Sequence, residues 1–509
     1  MLLLVHKIAH WILRRRIEYI ENFVLNPAET QHRVFRHLLE KGRDTVFGNT
    51  YGFPHIQSLE DFRKEVPIST YEQLFPYIDR AFKGESNILW PGKVHWFSKS
   101  SGTTNDKSKF IPLTQESLDD CHYRLGQDML AIYLNNKPES KLFTGKSLSI
   151  GGSLSENPNN RSIHFGDVSA VLTENLPRFY ELVRTPGKNI ALMSSWEEKV
   201  VAMAREVMHE DVTSLVGVPT WTQVLIYKIF ELLEMKDHNL LEVWPNLELF
   251  LHGGVSFDPY REHFKTLIPS DQMTYMDCYN ASEGFFALQD DSSRHDLLLM
   301  LDYGIFFEFI PVEHLDEDHP KTYTIEEVET NRNYAMVITT NGGLWRYMIG
   351  DTVMFTSLYP FRIKITGRTK HFINAFGEEL MVDNAEKAIS EACLVTGARV
   401  ENYTAAPIFF DGGSRGGHEW LIEFEKTPED IGRFGEVLDE MLKTVNSDYE
   451  AKRKGNLALG PPVIHALPSG SFIRWMKKRG KLGGQHKVPR LANNRDYLED
   501  ILKMVAVGS

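Results

Sequence analysis

Apolar positions along the chain follow two rhythms, and the switches between them outline its organisation. Ile8, Ile12, Tyr19 and Phe23 recur near helical spacing with Arg14-Arg15-Arg16 between them, which predicts an N-terminal helix packed on the body. Asn26-Pro27-Ala28-Glu29 reads as the next helix start, with asparagine as N-cap and proline at the first helical position; Gly42 would stop it. From about residue 90 to 370, short β-rich runs alternate with helical patterns, as in an α/β domain. Val94-His95-Trp96-Phe97, Ser214-Leu215-Val216-Gly217-Val218 and Leu247 to Leu251 read as strands. Thr220-Trp221-Thr222-Gln223 reads as a capping box opening a helix through Met235. Ala335 to Thr340, Asn341-Gly342-Gly343 and Leu344 to Ile349 predict a β-hairpin around a glycine-rich turn.

Near Gly367-Arg368-Thr369-Lys370 the pattern changes. A helix over 382–393 precedes a hairpin, Val400 to Phe410 and Glu419 to Glu425. An amphipathic helix then carries Ile431, Phe434, Leu438, Met441, Leu442 and Val445 on one face. The reading is α/β overall, with one domain over 1–369 and a smaller α+β domain over 370–509.

Composition narrows the function classes. A formal charge of −13 argues against a general nucleic-acid binder, which must neutralise phosphates with a basic surface. The three cysteines, Cys121, Cys278 and Cys393, form neither metal-ligand spacing nor a disulfide framework, which fits a reducing cytoplasm. The opening Met1 to Lys7 is too short an apolar run for a signal peptide, and nothing approaches eighteen consecutive apolar residues. No membrane partner is expected.

Candidate chemistry sits in five places. Ser100-Ser101-Gly102-Thr103-Thr104-Asn105-Asp106-Lys107-Ser108-Lys109 packs hydroxyls around a glycine and ends in lysine, so its N–H groups and hydroxyls can turn onto phosphate oxygens. It lacks the Gly-x-x-x-x-Gly-Lys-Ser/Thr of a P-loop. Tyr279-Asn280-Ala281-Ser282-Glu283 offers a carboxylate, Glu283, that could hold Mg²⁺ bridging phosphate oxygens, or could simply start a helix. His252-Gly253-Gly254-Val255 could accommodate a flat ring, or only turn the chain. Asp351, ending Trp345-Arg346-Tyr347-Met348-Ile349-Gly350-Asp351, could accept from both ribose hydroxyls, or be a turn aspartate. Lys487, within Gly483-Gly484-Gln485-His486-Lys487-Val488-Pro489-Arg490, could neutralise charge between a carboxylate and a phosphate, or be a solvated basic tail.

In order, these pieces resemble the auxin-responsive acyl-acid amido synthetases, the Gretchen Hagen family with its bacterial members, within the acyl-adenylate-forming superfamily of firefly luciferase. The phosphate loop is similar to Ser-Ser-Gly-Thr-Ser/Thr-x-Gly-x-x-Lys, with Asp106 where the family has glycine. Tyr-x-x-Ser-Glu is matched by Tyr279, Ser282 and Glu283; Tyr-Arg-x-x-x-Gly-Asp by Arg346, Gly350 and Asp351, with Trp345 replacing tyrosine. The hinge Gly-Arg is matched by Gly367 and Arg368, and Gln-x-Lys-x-Pro-Arg by Gln485, Lys487, Pro489 and Arg490. The resemblance implies a large adenylate-forming domain with β-sheets and a β-barrel-like part flanked by helices, plus a mobile C-terminal domain that rotates between half-reactions. It implies ATP and Mg²⁺, with an acid first adenylated and its acyl group then passed to an amine, in this family usually that of an amino acid. In the implied roles Ser100, Ser101, Gly102, Thr103, Thr104 and Lys109 hold phosphates, with Gly253, Gly254, Tyr279, Asn280, Ser282 and Asp351 completing the nucleotide site. Glu283 holds Mg²⁺, Arg368 assists at the hinge, and Lys487 stabilises charge. Val216, Gly217, Val218, Pro219 and Trp221 are the candidates for the acyl pocket, with ordinary packing as the alternative.

Rival chemistries fare less well. Gly412-Gly413-Ser414-Arg415-Gly416 fits Gly-x-Ser-x-Gly, but a nucleophile elbow needs a following helix and Glu419 to Phe424 reads as a strand. None of the 19 histidines makes a His-Glu-x-x-His. A carboxylate–CoA ligase would share the adenylation step, and a non-catalytic nucleotide or carboxylate binder has Asp106 in its favour.

Overall fold

The computed structural model describes residues 2–507 except 101–108, 159, 237–238, 256, 258–259, 316, 369–371, 410–415, 455–458 and 480–488. The chain divides into two compact units. One comprises Met1–Ser100, Lys109–Phe257 and Phe264–Thr369; the other is built on Lys370–Ser509 with Asp258–His263. The Tyr260 phenol donates to Ala375 O at 2.7 Å, tying that short excursion into the second unit.

The first unit is organised by an eleven-stranded sheet of two characters. Thr274–Ala281, Leu249–Gly253, Val212–Val216, Lys146–Ser149 and Arg184–Thr185 lie side by side in that order, all parallel. Their neighbours Gly284–Leu288, Leu297–Leu299, Phe361–Arg368, Tyr347–Leu358, Asn333–Thr340 and Ile305–Pro311 continue the sheet antiparallel. Every residue of Leu249–Gly253 and Ile305–Pro311 is buried, as expected of strands covered on both faces rather than alternating in and out. A second sheet pairs Trp96–Ser100 with Lys109–Leu113 on one side and His164–Gly166 on the other.

The N-terminal helix, Leu2–Leu25, forms and packs on the helix Tyr123–Asn136; of the expected inward positions Phe23 is buried, Tyr19 is not, and the side chains of Ile8 and Ile12 lie outside the described residues. Leu13, Ile20 and Phe23 are buried, whereas Tyr19 is 58% exposed. The Arg16 guanidinium, 5.0 Å from the Tyr19 ring centroid, makes a two-pronged bond to the fully buried Asp128, at 2.6 and 2.9 Å. Pro27–Gly42 has the expected bounds, although the Asn26 amide donates back to Asn22 O at 3.2 Å instead of capping.

Other boundaries moved for identifiable reasons. The first strand begins at Trp96 rather than Val94. Thr220 is no N-cap, because Pro219 takes the first helical position and the helix Pro219–Leu232 starts from Val218. The hairpin around Asn341 forms, but its second strand, Tyr347–Leu358, runs well past Asp351, which stands within a strand.

In the second unit, Val382–Thr396 and Ile431–Val445 pack on a sheet of Arg399–Ile408, Gly417–Lys426 and Val463–Leu467. Phe434, Leu438 and Leu442 are fully buried, each contributing about 1.5–3 kcal/mol. Ser414 lies outside the described residues. The strands flanking its loop pair antiparallel, Ile408 opposite Gly417, so a strand and not a helix follows, as the elbow test required.

Candidate active site

Parallel strands that end together open a crevice at their carboxyl edge. Here Val212–Val216 runs into Gly217-Val218-Pro219, Leu249–Gly253 into Gly254, and Thr274–Ala281 into Ser282. Val216 stands opposite Leu251, and Gly253 opposite Cys278, so each successive strand runs on past its neighbour's end, by two residues to Gly253 and by three to Ala281. The Gly217 N–H donates to Leu251 O at 3.1 Å. Both glycines are dictated by space or backbone. A Cβ on Gly253 would come within 2.5 Å of Asn280 Oδ1 and 2.6 Å of Cys278 O, while Gly254 has φ +81° with Val218 Cγ2 beside it. Gly253, Gly254, Asn280 and Val218, singled out in three separate stretches of sequence, therefore meet at one edge.

Glu283 starts no helix. Ser282 and Glu283 form the two-residue turn of a hairpin, with Ala281 opposite Gly284. The fully buried Ser98 donates through its hydroxyl to Ser282 Oγ at 3.0 Å, joining the strand that leads into the Ser/Thr-rich loop to this turn. The Tyr279 phenol donates to Asp351 Oδ2 at 2.6 Å. The φ of +92° at Gly350 is a backbone state in which other residues are strained, and Asp351 stands opposite Arg368 on the neighbouring strand.

Two tyrosines not anticipated from sequence stand around Glu283. The fully buried Tyr347 donates to Glu283 Oε1 at 3.3 Å; burial, and then this carboxylate, push its phenol well above the ordinary value. Burial first, with Glu283 among the nearby charges, moves Tyr71 up to about 12. The Tyr71 phenol oxygen accepts the Phe110 N–H at 2.9 Å, and the Lys109 ammonium lies over its ring, 5.7 Å from the centroid. Ser100 and Lys109 stand opposite each other in register, at the ends of an antiparallel pair. Ser101, Gly102, Thr103, Thr104 and Asp106, between them, lie outside the described residues.

Arg346 and Trp345 are framework. The Arg346 guanidinium, 4% exposed, grips Glu308 with two 2.9 Å bonds and donates to Val66 O at 2.7 Å and Thr322 Oγ1 at 3.1 Å. The Trp345 indole donates to Leu89 O at 3.0 Å within an aromatic core of Phe47, Phe53 and Trp90.

Of the acyl-pocket candidates, Val216, Gly217 and Val218 finish a strand while Pro219 and Trp221 open the following helix. Trp221 meets Trp196 edge-on, ring centroids 4.1 Å apart. No sequence pattern singled out Trp196, because its partner is 25 residues away on another helix. Lys487 lies outside the described residues. The segment just after it is anchored: Ala405 N–H donates to Arg490 O at 2.9 Å, and the Arg490 guanidinium covers Tyr403 at 4.6 Å. Among the described residues no three His, Cys, Asp or Glu gather as a metal cluster, and no helix is long and apolar enough to cross a membrane.

The chain is similar to known proteins over most of its length. The indole-3-acetic acid-amido synthetase GH3.3 of Arabidopsis thaliana is 22% identical over 95% of this chain and 93% of its own. The 4-substituted benzoates-glutamate ligase GH3.12 of the same plant is 24% identical over 86% and 88%. Among solved structures, the GH3.15 acyl acid amido synthetase shares the fold with a TM-score of 0.61 at 18% identity, over 96% of each chain. A 2-hydroxyisobutyryl-CoA ligase reaches 0.53 at 11% identity, over 97% and 92%. The GH3 family central domain matches residues 298–368 and its C-terminal domain 383–496. Since the GH3 family N-terminal domain alone matches residues 16–273, just over half of the sequence, the chain belongs to the GH3 family.

Proposed function

We propose that the chain is an ATP-dependent acyl-acid amido synthetase. What carries the reading is the Tyr279–Asp351 hydrogen bond at 2.6 Å, which joins two motifs at the edge where Gly253, Gly254 and Val218 meet. The full-length similarity to two amino-acid-conjugating or amido-forming ligases supports the same reaction class.

A carboxylate is a poor electrophile. Its oxygen attacks the α-phosphorus of ATP, the bond to the β-phosphate oxygen breaks, and pyrophosphate leaves. An amine nitrogen then attacks the activated carbonyl, the bond to AMP breaks, and the amine proton passes to solvent. In this reaction Asp351 accepts from the ribose hydroxyls, with Tyr279 fixing its carboxylate. Ser100, Ser101, Gly102, Thr103, Thr104 and Lys109 receive the phosphates, and Gly253, Gly254, Asn280 and Ser282 shape the nucleotide's bed. Val216, Gly217, Val218, Pro219 and Trp221 receive the acid. Arg368 assists the nucleotide, and Lys487 offsets charge between carboxylate and phosphate through fixed electrostatics. Domain 370–509 moves between half-reactions, which excludes water from a hydrolysable intermediate.

Glu283 suits Mg²⁺: it is a partly exposed carboxylate at a turn tip, and the ion is typically held by one or two carboxylates together with substrate phosphates. When bound, the ion neutralises the leaving pyrophosphate. Reduced thiols, with Cys121, Cys278 and Cys393 all free, agree with a cytoplasmic setting.

The test is carboxylate-dependent exchange of pyrophosphate into ATP over a panel of aromatic, fatty and hydroxy acids. Exchange stimulated by one acid class supports adenylation and names the first substrate. Tight ATP binding without exchange favours a non-catalytic relative, and absence of both would sink the proposal.

A further inference from the structure

One buried charge beside the acyl candidates has no part in the chemistry above. After the strand Lys146–Ser149 the chain turns through Ile150-Gly151-Gly152-Ser153. The Ile150 N–H donates to Val216 O at 3.0 Å, so the turn starts at the same carboxyl edge, and a Cβ on Gly217 would stand 3.3 Å from Ile150 Cβ. Three side chains fasten it. Lys199 Nζ donates to Gly151 O and to Gly152 O, both at 2.7 Å. Ser169 Oγ accepts the Gly152 N–H at 3.0 Å, and Asp167 Oδ2 accepts the Ser153 N–H at 2.8 Å. A Cβ on Gly152 would overlap the Asp167 carboxylate, so the backbone lies as close as glycine permits.

Lys199 is 2% exposed and sits on the helix Trp196–Val207, three residues after Trp196. One helix therefore touches both an acyl candidate and the turn, through Trp196 against Trp221 and through Lys199 on the Gly151 carbonyl. An apolar residue would fill this space without the cost of burying an ammonium; what lysine adds is charge and directed donors.

We infer that the Gly151–Ser153 turn is a further wall of the acyl-acid site, and that Lys199 is its positioning residue, governing affinity for the carboxylic acid and not for ATP. The inference rests on the amido-synthetase reading.

Burial draws the Lys199 ammonium down to about 8, with Asp167, at the start of the helix Val168–Asn175, acting against it. The acid's KM is therefore expected to rise several-fold as pH passes through about 8 while the ATP KM stays flat. Pyrophosphate exchange by the full chain, Lys199→Arg and Lys199→Met, measured across that range, provides the test. Lys199→Arg keeps its charge at every pH and should abolish the rise. Lys199→Met should raise the acid's KM about tenfold at neutral pH with ATP KM unchanged. A wild-type profile in Lys199→Met, or equal changes in both KM values, overturns the inference. Should that variant misfold, the pH profiles of wild type and Lys199→Arg decide alone, and identical profiles overturn it. Wild-type protein without exchange for any acid would instead overturn the function on which the inference rests, and the inference with it.

Discussion

The Tyr279 phenol holds the Asp351 carboxylate at 2.6 Å although 72 residues of chain separate them, with only 4% and 7% of the two residues exposed. The bond spans the parallel and antiparallel parts of the main sheet. It fixes one carboxylate oxygen where, on the present account, the ribose binds. A hydrogen bond to a charged group contributes about 1.5–3 kcal/mol, so Tyr279→Phe is expected to weaken ATP binding by about tenfold or more. The acid's KM should change little. Steady-state kinetics with each substrate varied in turn checks this, and an unchanged ATP KM would remove Tyr279 from the site.

Arg346, despite its place in a family motif, is expected to act on stability. Its guanidinium and Glu308 are both almost fully buried, so removing one partner strands a charge. Arg346→Met should cost about 3–5 kcal/mol, and adding Glu308→Leu should return much of it. Urea unfolding of the single and double variants measures both effects.

Gly42 gives a prediction whose sign runs against helix propensity. It closes the helix Pro27–Gly42, where alanine would ordinarily be favoured by about 1 kcal/mol. Here a Cβ would lie 2.4 Å from Trp345 Cζ2 and 3.0 Å from the Phe53 ring. Overpacking of about 1–3 kcal/mol should win, so Gly42→Ala should melt below wild type.

His122 should make stability depend on acid. It ends a π-helical turn, Leu118–His122, with 3% exposure and neither ring nitrogen hydrogen-bonded among the described residues. Burial holds its folded value down at about 4 from the ordinary 6.5. As pH falls through this window the unfolded chain takes up the proton first. The stability is therefore fully present above about 6.5 and lost progressively towards 4, an amount of about 3 kcal/mol. His122→Leu should flatten that slope in urea titrations repeated between those limits; an equally steep slope would clear His122 of responsibility.

The stretches the sequence did mark at this edge, such as Gly253-Gly254 and Ser282-Glu283, are short and their local chemistry is self-contained. The family was legible for the same reason, five short motifs in order. Contacts between distant stretches were not. Tyr71 and Tyr347 approach Glu283, and Trp196 meets Trp221, only after the sheet is assembled. No sequence pattern singled out Lys199, whose ammonium reaches the carbonyls of Gly151 and Gly152 nearly fifty residues away. The misread cap had a local cause, since Pro219 takes the first helical position and leaves Thr220 inside the helix. In the helix Ile431–Val445 the periodicity marked Phe434, Leu438 and Leu442 correctly as buried, while Ile431, Met441 and Val445 are only half-buried and Asp439, which no apolar pattern could mark, is buried against Arg453.

The most direct test of the whole account is a single-turnover reaction with ATP, Mg²⁺ and the acid that best supports exchange, first without and then with an amine acceptor. An enzyme-bound acyl-adenylate is expected by mass spectrometry, consumed on addition of amino acids with release of an amide and AMP, and left intact by coenzyme A. An acyl-adenylate discharged only by coenzyme A would contradict the amide-forming step, and hydrolysis of ATP with no acyl-adenylate would contradict the mechanism as a whole.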